Sequence, residues 1–114
     1  MEKYIISGIQ QVGVGVSDIY EAWEYYAKIF KMDVRILEDD SIAEMMLPYT
    51  GNQPQKRHAA IAINMQGGGG FEIWQYKGRT PEKANFDIQL GDLGIFAAKI
   101  QSRNVNLAYE ILKK

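Results

Sequence analysis

Cysteine is absent from the chain, and neither basic nor acidic residues dominate it. Without cysteine the protein can form no disulfide, and it has no thiolate metal ligand and no cysteine nucleophile. The 13 Lys and Arg residues nearly balance the 14 Asp and Glu residues, so the net charge of -1 offers no field to attract nucleic acid or an anionic membrane. No apolar run has the length of a signal sequence or a membrane span. We therefore expect a cytoplasmic protein with neither nucleic acid nor a membrane as partner.

The first informative segment, from Gly8 to Val16, is predicted to be a strand with one nearly bare face. Side chains alternate between the two faces of a strand. One face of this strand carries a valine row, Val12, Val14 and Val16. The other face carries a sparse row, Gln11, Gly13 and Gly15. The sparse row has two interpretations: its glycines leave space for a ligand, or they mark a bulge or a close approach of another backbone.

The segment from Ile19 to Phe30 is predicted to be an amphipathic helix. Its apolar residues fall on one stripe at helical spacing, namely Ile19, Ala22, Trp23, Tyr26, Ile29 and Phe30. Asp18 followed three residues later by Glu21 resembles a capping box, which marks the start of a helix. We expect this stripe to cover the valine row as part of the core.

Three further strands are predicted at residues 33–38, 58–65 and 71–76. Residues 48–56 are predicted to be an exposed loop between the first and the second of these strands. Residues 42–47 are either a hairpin partner of the first of these strands or an insertion. The glycine-rich run at 66–70 indicates a hairpin connection and not a phosphate loop, because a strand follows it and the Lys-Ser/Thr of a nucleotide loop is missing.

A hairpin in which Met65 faces Phe71 sets the register of the last two strands. It places Asn64 opposite Glu72, Ala62 opposite Trp74 and Ala60 opposite Tyr76. Small side chains then lie beside aromatic rings. In this register His58, the one histidine of the chain, lies about 20 Å from Glu72 near solvent, where joint metal ligation with Glu72 is excluded.

The C-terminal third carries a weaker pattern. Residues 77–93 are predicted to be a linker and residues 94–100 a strand, and the segment Ser102 to Asn104 begins a final helix. The apolar stripe of that helix is Val105, Ala108, Ile111 and Leu112. The element order is thus βαβββ, linker, βα, and residues 94–114 match the pattern of residues 8–31.

The sequence resembles the vicinal oxygen chelate superfamily, which includes glyoxalase I, extradiol dioxygenases and bleomycin resistance proteins. The similarity rests on the element order, on the phrase Ile9-Gln-Gln-Val-Gly-Val-Gly-Val-Ser-Asp18 followed by Ala22-x-x-Tyr25-Tyr26, and on the strand Phe71-Glu-Ile-Trp74. It implies an α+β fold with a complete βαβββ module at 1–76, a linker at 77–93 and the strand and helix of a partial second module at 94–114. The implied strand order 1-4-3-2 puts Gln11 beside Glu72, Gly13 beside Trp74 and Gly15 beside Tyr76.

The resemblance also implies where a divalent metal would bind. Family members take ligands from the first and last strands of each module, which correspond here to Gln11 and Glu72. The matching position in the second module is Ile95, which cannot coordinate a metal. Two ligands make an incomplete site, so a metal cofactor is conceivable but not expected for this chain alone.

Two functions follow as expectations from the resemblance. One is a lyase or isomerase, similar to lactoylglutathione lyase, that acts on a small α-carbonyl substrate with Glu72 as base or metal ligand. The alternative is a non-catalytic module of the bleomycin-resistance type that binds a small molecule through Gln11, Asn64, Trp74 and Tyr76; in a third reading the site has decayed and the module only mediates association. The unpaired first strand and the incomplete second module further predict a homodimer.

Overall fold

The computed structural model describes residues 4–6, 8–65 and 69–113, which form an α+β fold as the sequence predicts. The elements are β1 (Gln11–Gly15), α1 (Ile19–Phe30), β2 (Val34–Ile42), a 3₁₀ helix (Glu44–Tyr49), β3 (Lys56–Asn64), β4 (Gly69–Tyr76) and α2 (Val105–Leu112). Residues 42–47 are therefore not a hairpin partner: β2 continues to Ile42 and the 3₁₀ helix follows. Neither helix of the described chain is long and apolar enough to cross a membrane.

Helix α1 begins where its cap predicts. The carboxylate of Asp18 accepts hydrogen bonds from the backbone N–H groups of Tyr20 and Glu21, at 2.9 and 3.0 Å. These bonds satisfy two donors that have no partner inside the helix. The helix ends at Lys31, which has a left-handed backbone with φ of 56°.

The four strands form one sheet in the order β1-β4-β3-β2, in agreement with the predicted order. The pair β1–β4 is parallel and the other two pairs are antiparallel. Helix α1 covers one face of this sheet. The buried core between them consists of Ile19, Trp23, Met32, Ala60, Ala62, Phe71 and Ile73, and the valine row of β1 packs against it.

The register of β3 against β4 differs from the predicted one. Ala59 lies opposite Trp74, where the sequence pattern predicts Ala62. The fully buried Ala60 and Ala62 consequently lie under α1 and not beside the aromatic rings. The reason is that Gly69 and Gly70 extend β4 and shorten the connection, which changes the residues of β3 that face α1.

The pairing of β1 with β4 is likewise shifted along the strand. Gly13 lies opposite Glu72 and Gly15 opposite Trp74, two positions from the predicted partners. A shift of two residues keeps every side chain on its face, because the side-chain period of a strand is two. The sparse row of β1 therefore still lies beside the chemically interesting residues of β4.

The C-terminal arm, residues 77–113, has little regular structure besides α2. The predicted strand at 94–100 is wrong, since it pairs with no strand in the described chain and Ile95 is 72% exposed. A strand needs a backbone partner for its N–H and C=O groups, and none of the four strands of the described residues pairs with this segment. The predicted helix is present as α2, with Asn104 accepting a hydrogen bond from the backbone N–H of Leu107 at 3.0 Å.

Candidate functional site

We call the face of the sheet opposite α1 the open face, because no helix or strand of the described chain covers it. Directly paired residues share a face, so the register assigns its members. They are Gln11, Gly13, Gly15, Val34, Leu37, Asp39, Ser41, Arg57, Ala59, Ile61, Ile63, Gly70, Glu72, Trp74 and Tyr76. The open face thus combines apolar side chains with one amide, two carboxylates, one guanidinium and two hydroxyl groups.

Gln11 and Glu72 meet on the open face although 61 residues separate them in the chain. Gln11 Nε2 donates a hydrogen bond to Glu72 Oε2 at 3.0 Å. Both side chains are partly buried, so the bond holds the carboxylate in a defined position. The amide retains a second N–H and its own oxygen, and the carboxylate retains a second oxygen, so this pair can both donate to and accept from a further partner.

Next to this pair the open face has a gap. A Cβ atom added at Gly13 or at Gly15 would meet no heavy atom within 4 Å. The backbone there is bordered by Glu72 and Trp74, which lie directly opposite the two glycines on β4. The gap therefore has a carboxylate on one side and an indole on the other.

Trp74 and Ile73 occupy opposite faces, as their alternation predicts. Ile73 is 0% exposed beneath α1, whereas Trp74 is partly exposed on the open face. The Trp74 ring meets the Tyr76 ring edge to face, with centroids 5.8 Å apart and planes at 64°. Trp74 Nε1 is shielded from solvent and has no hydrogen-bond acceptor.

Arg57 is a site residue that the sequence analysis does not identify. Its side chain is 14% exposed and its Cζ lies 5.0 Å from the centroid of the Trp74 ring. One end of the guanidinium is held by Asp39, because Nη1 donates to the backbone oxygen at 2.9 Å and Nη2 pairs with the carboxylate. The other end, Nε, is buried and has no acceptor. The alternation of β3 could have placed Arg57 on the open face only if the register had been correct.

The contact between Arg57 and Trp74 leaves two buried N–H groups without hydrogen-bond acceptors. A cation–π contact contributes about 0.5–1 kcal/mol at a partly exposed site. Each buried N–H without an acceptor costs about 1–3 kcal/mol, and this contact contains two of them. An acceptor that reached both groups would thus stabilise the site by more than the cation–π contact does.

The hydrogen bond from Arg57 is also the largest influence on Asp39. It lowers the pKa of that carboxyl below its ordinary value, assisted by a hydrogen bond from Ser41 and by the nearby positive charges. Asp39 is therefore ionised near neutral pH and balances the charge of Arg57.

Asn64 and His58 do not belong to the open face, which corrects both expectations. Asn64 Nδ2 donates to the backbone oxygen of Phe30 at 2.9 Å and so contacts the C-terminal end of α1. His58 is 2% exposed and lies on the α1 side, with Nε2 2.8 Å from Glu38 Oε1. The predicted solvent-exposed position of His58 is wrong because the true register brings it opposite Gln75, under the start of the helix.

The residues of the open face do not fit a complete metal site. Gln11 turns its Nε2 and not its oxygen toward Glu72, and only a carboxylate and an amide are present there. The described residues contain no group of three His, Cys, Asp or Glu side chains with the spacing of metal ligands. His58 and Ile95 add nothing, since one is on the opposite face and the other is outside the sheet.

A βαβββ module with strand order β1-β4-β3-β2 and one helix on one face of the sheet is the architecture of a glyoxalase-like fold. No protein-family model and no curated protein matches the sequence. Among solved structures, the chain is similar to the crystal structure of a glyoxalase family protein from Bacillus cereus. The TM-score is 0.64 and the identity 16%, over 99% of this chain and 74% of that one. At this identity the likeness establishes the fold alone.

Proposed function

We propose that the open face binds a small, flat organic molecule in the gap above Gly13 and Gly15. The observation that carries this proposal is the gap itself, since Gly13 and Gly15, two residues apart on the same face of β1, have no heavy atom above them while an indole borders them. Aromatic rings prefer offset or edge-to-face partners and gain free energy beyond their buried area when such a partner binds. A flat molecule placed on the glycine backbone can contact Trp74 in this way.

At the other border of the gap, Glu72 and Gln11 determine which polar group of the ligand can bind there. Glu72 offers a carboxylate oxygen and Gln11 an amide N–H, side by side on neighbouring strands. A hydroxyl group is complementary to both, because it donates to the carboxylate and accepts from the amide N–H, whereas a carbonyl oxygen is complementary to the amide N–H alone. The ligand class is therefore a flat molecule with a carbonyl or hydroxyl group at one end.

Filling the gap tests the proposal without loss of packing. In Gly15→Val the new side chain enters free space, and valine favours the strand conformation, so the fold should be retained. We expect isothermal titration calorimetry to show that 2-naphthamide binds the unmodified protein and that Gly15→Val loses the binding. Gly69→Ala is the control, because a Cβ there makes only an ordinary contact with the Gln10 oxygen, at 3.8 Å. Equal binding by Gly15→Val and the unmodified protein would disprove the proposal.

A catalytic use of the same site is a second candidate, favoured by the hydrogen bond that positions Glu72. In a lyase or isomerase of small α-carbonyl compounds, the carboxylate would remove the proton next to the carbonyl. The electrons of that C–H bond would form the enolate, and the second N–H of Gln11 could donate to its oxygen. Return of the proton to the same or the neighbouring carbon completes exchange or isomerisation.

Proton exchange is the measurement for this candidate. In D₂O we expect the protein to accelerate deuterium incorporation into hydroxyacetone, followed by NMR, and Glu72→Gln to lose the acceleration. Glu82→Gln is the matched control, since Glu82 is exposed in the C-terminal arm. A rate that Glu72→Gln leaves unchanged would exclude Glu72 as the base.

We further propose that two copies of the chain associate through these uncovered parts. Strand β1 has a neighbour on one side only, and the open face lacks a covering layer in the described chain. The C-terminal arm exposes apolar side chains that the same chain does not cover, including Leu93, Ile95, Phe96, Val105, Ile111 and Leu112. Large exposed apolar areas of this kind mark interaction surfaces. The arm of a second copy would then form the opposite wall of the ligand site.

A further inference from the structure

We infer that the ligand of the open face carries an acidic group, a carboxylate on a flat ring system, and that Arg57 and Arg79 select it. The inference rests on the proposed function and adds the charge of the ligand and its direction in the site. It is carried by contacts at the end of β4, where two guanidinium groups flank two aromatic rings.

The four side chains form a continuous series. The Arg57 guanidinium lies over Trp74, the Trp74 ring meets Tyr76, and Arg79 Cζ lies 5.3 Å from the centroid of the Tyr76 ring. The two rings thus present an apolar surface with a cation at each side. This composition suits a molecule that has a flat body and an anionic group.

Two buried nitrogen atoms at this end are donors without acceptors. Trp74 Nε1 and Arg57 Nε have no partner, and neither an indole nor a guanidinium can accept a hydrogen bond. Both nitrogen atoms are shielded from water, so a ligand oxygen must part the Arg57–Trp74 contact to reach them. Asp39 occupies both Nη groups of Arg57, so the two oxygens of a carboxylate find a fork of donors at the Arg79 guanidinium.

The charges around the four side chains favour an anion at the end formed by Tyr76 and Arg79. Asp39 neutralises Arg57, and Asp40 pairs with the neighbouring Lys77 at 2.7 Å. Arg79 forms no ion pair within the described part of the chain, so its positive charge is not balanced locally. A cavity of about 400 Å³ between Ser17 and Pro81 is lined by Tyr76 and Arg79 and leaves room for an acidic group.

The position of Glu72 fixes the direction of the ligand. Glu72 precedes Trp74 by two residues on β4, which corresponds to roughly 7 Å along the strand. Its negative charge would repel a carboxylate placed beside it. The acidic group therefore points toward Tyr76 and Arg79, and the neutral carbonyl or hydroxyl end lies at Glu72 and Gln11.

A matched pair of probes tests the inference. 2-Naphthoate and 2-naphthamide have the same ring system and nearly the same shape, and they differ in charge. We expect calorimetry to show that the unmodified protein binds 2-naphthoate about tenfold more tightly, and that added salt reduces this preference. Arg79→Gln, and Arg57→Gln combined with Asp39→Asn to keep the local charge balanced, should each bring the preference toward one. Arg103→Gln, an exposed arginine beyond these contacts, should leave it unchanged.

The outcomes separate this inference from the proposed function. Equal binding of both probes, lost in Gly15→Val, would overturn the acidic ligand and leave the flat-ligand site standing. A preference for 2-naphthoate that persists in Arg79→Gln and in the double variant would overturn the role of the two arginines. Failure of both probes to bind at millimolar concentration would overturn the inference and the proposed function together.

Discussion

The imidazole ring of His58 lies beneath the first turn of α1, with Nε2 2.8 Å from Glu38 Oε1 and its ring 5.3 Å from that of Tyr20. This arrangement joins β3, β2 and the helix at one point on the side of the sheet opposite the proposed ligand site. Because the ring is almost fully buried, it fills volume as well as forming a polar contact.

We therefore predict that His58→Ala lowers the free energy of unfolding by about 2–4 kcal/mol, chiefly through lost packing and in smaller part through the lost contact with Glu38. His58→Gln keeps an amide that can reach Glu38 and should cost less. Urea unfolding followed by circular dichroism measures both. If the alanine variant is as stable as the original protein, the ring has no structural role.

Gln75 is predicted to stabilise the junction between β1 and α1. Its side chain accepts a hydrogen bond from the backbone N–H of Ile19 at 3.2 Å and donates one to the Ser17 oxygen at 2.6 Å. Gln75→Leu leaves both backbone groups without this partner and should cost about 1–2 kcal/mol of unfolding free energy. Gln53→Leu, at an exposed position in a loop, is the control for the substitution itself. Indistinguishable denaturation midpoints for the two variants would refute this role.

Ile73 and Trp74 should respond differently to truncation. Ile73 is in the core, so Ile73→Ala is expected to cost about 2–5 kcal/mol of unfolding free energy. Trp74→Ala removes a side chain from the open face and should cost less, while it abolishes binding of 2-naphthamide. Thermal unfolding combined with calorimetric titration distinguishes the two effects. Large and equal losses of stability would move Trp74 into the core.

Acidification is expected to weaken the fold through Asp39 and Asp40. Arg57 lowers the pKa of Asp39 and Lys77 lowers the pKa of Asp40, each through a hydrogen bond. A carboxyl with a lower pKa in the folded state binds protons more readily when unfolded. Its contribution to stability is therefore present above its ordinary pKa of about 4 and is lost as the pH falls through the folded-state value.

The check is the urea midpoint as a function of pH. Between about pH 6 and pH 3 it should fall less steeply in Asp39→Asn combined with Asp40→Asn than in the original protein. Glu82→Gln removes an exposed carboxyl that forms no ion pair in the described chain and should leave the slope unchanged. Parallel curves for the double variant and the original protein would contradict the prediction.

The proposed dimer makes a prediction for α2. Ile111 is 50% exposed on the apolar stripe of this helix, so Ile111→Glu should prevent the burial of that stripe against a second copy. We expect sedimentation equilibrium to show a dimer for the original protein and a monomer for the variant. Asn106→Glu adds the same charge at another position of the helix and should leave the dimer intact. An original protein that is monomeric at micromolar concentration would exclude the association.

The sequence was sufficient for helix α1 and, through the family resemblance, for the order of the strands in the sheet. Helix α1 has its predicted bounds, because the cap at Asp18 and the helical spacing of the apolar residues depend only on neighbouring positions. The strand order that the family resemblance implies brought Gln11 near Glu72, and their side chains do form a hydrogen bond although the predicted strand pairing is two residues off. None of these features depends on the length of a turn.

The registers of β4 against β3 and β1 could not be predicted, because they depend on which glycine of the run at 66–70 ends the turn and begins the strand. Gly69 and Gly70 belong to β4, and this choice moved Asn64 to the helix side and brought Arg57 to the open face. The alternation of β3 is equally compatible with either face, since alanine and isoleucine both pack in a core. The prediction of a strand at 94–100 is wrong for a different reason. The segment has the residue pattern of a strand, but a strand also needs a neighbouring strand to pair with, and the pattern does not contain that information.

The hydrogen bond between Gln11 and Glu72 also has a consequence for biosynthesis. It joins the first strand of the module to the last, across 61 residues and through a parallel pair that no short turn can form. A nascent chain on the ribosome therefore cannot assemble this contact until β4 has emerged, and long-range pairing of this kind folds slowly. A molecule that binds across the two strands would be recognised only by a completed module, so its binding would report that folding has finished.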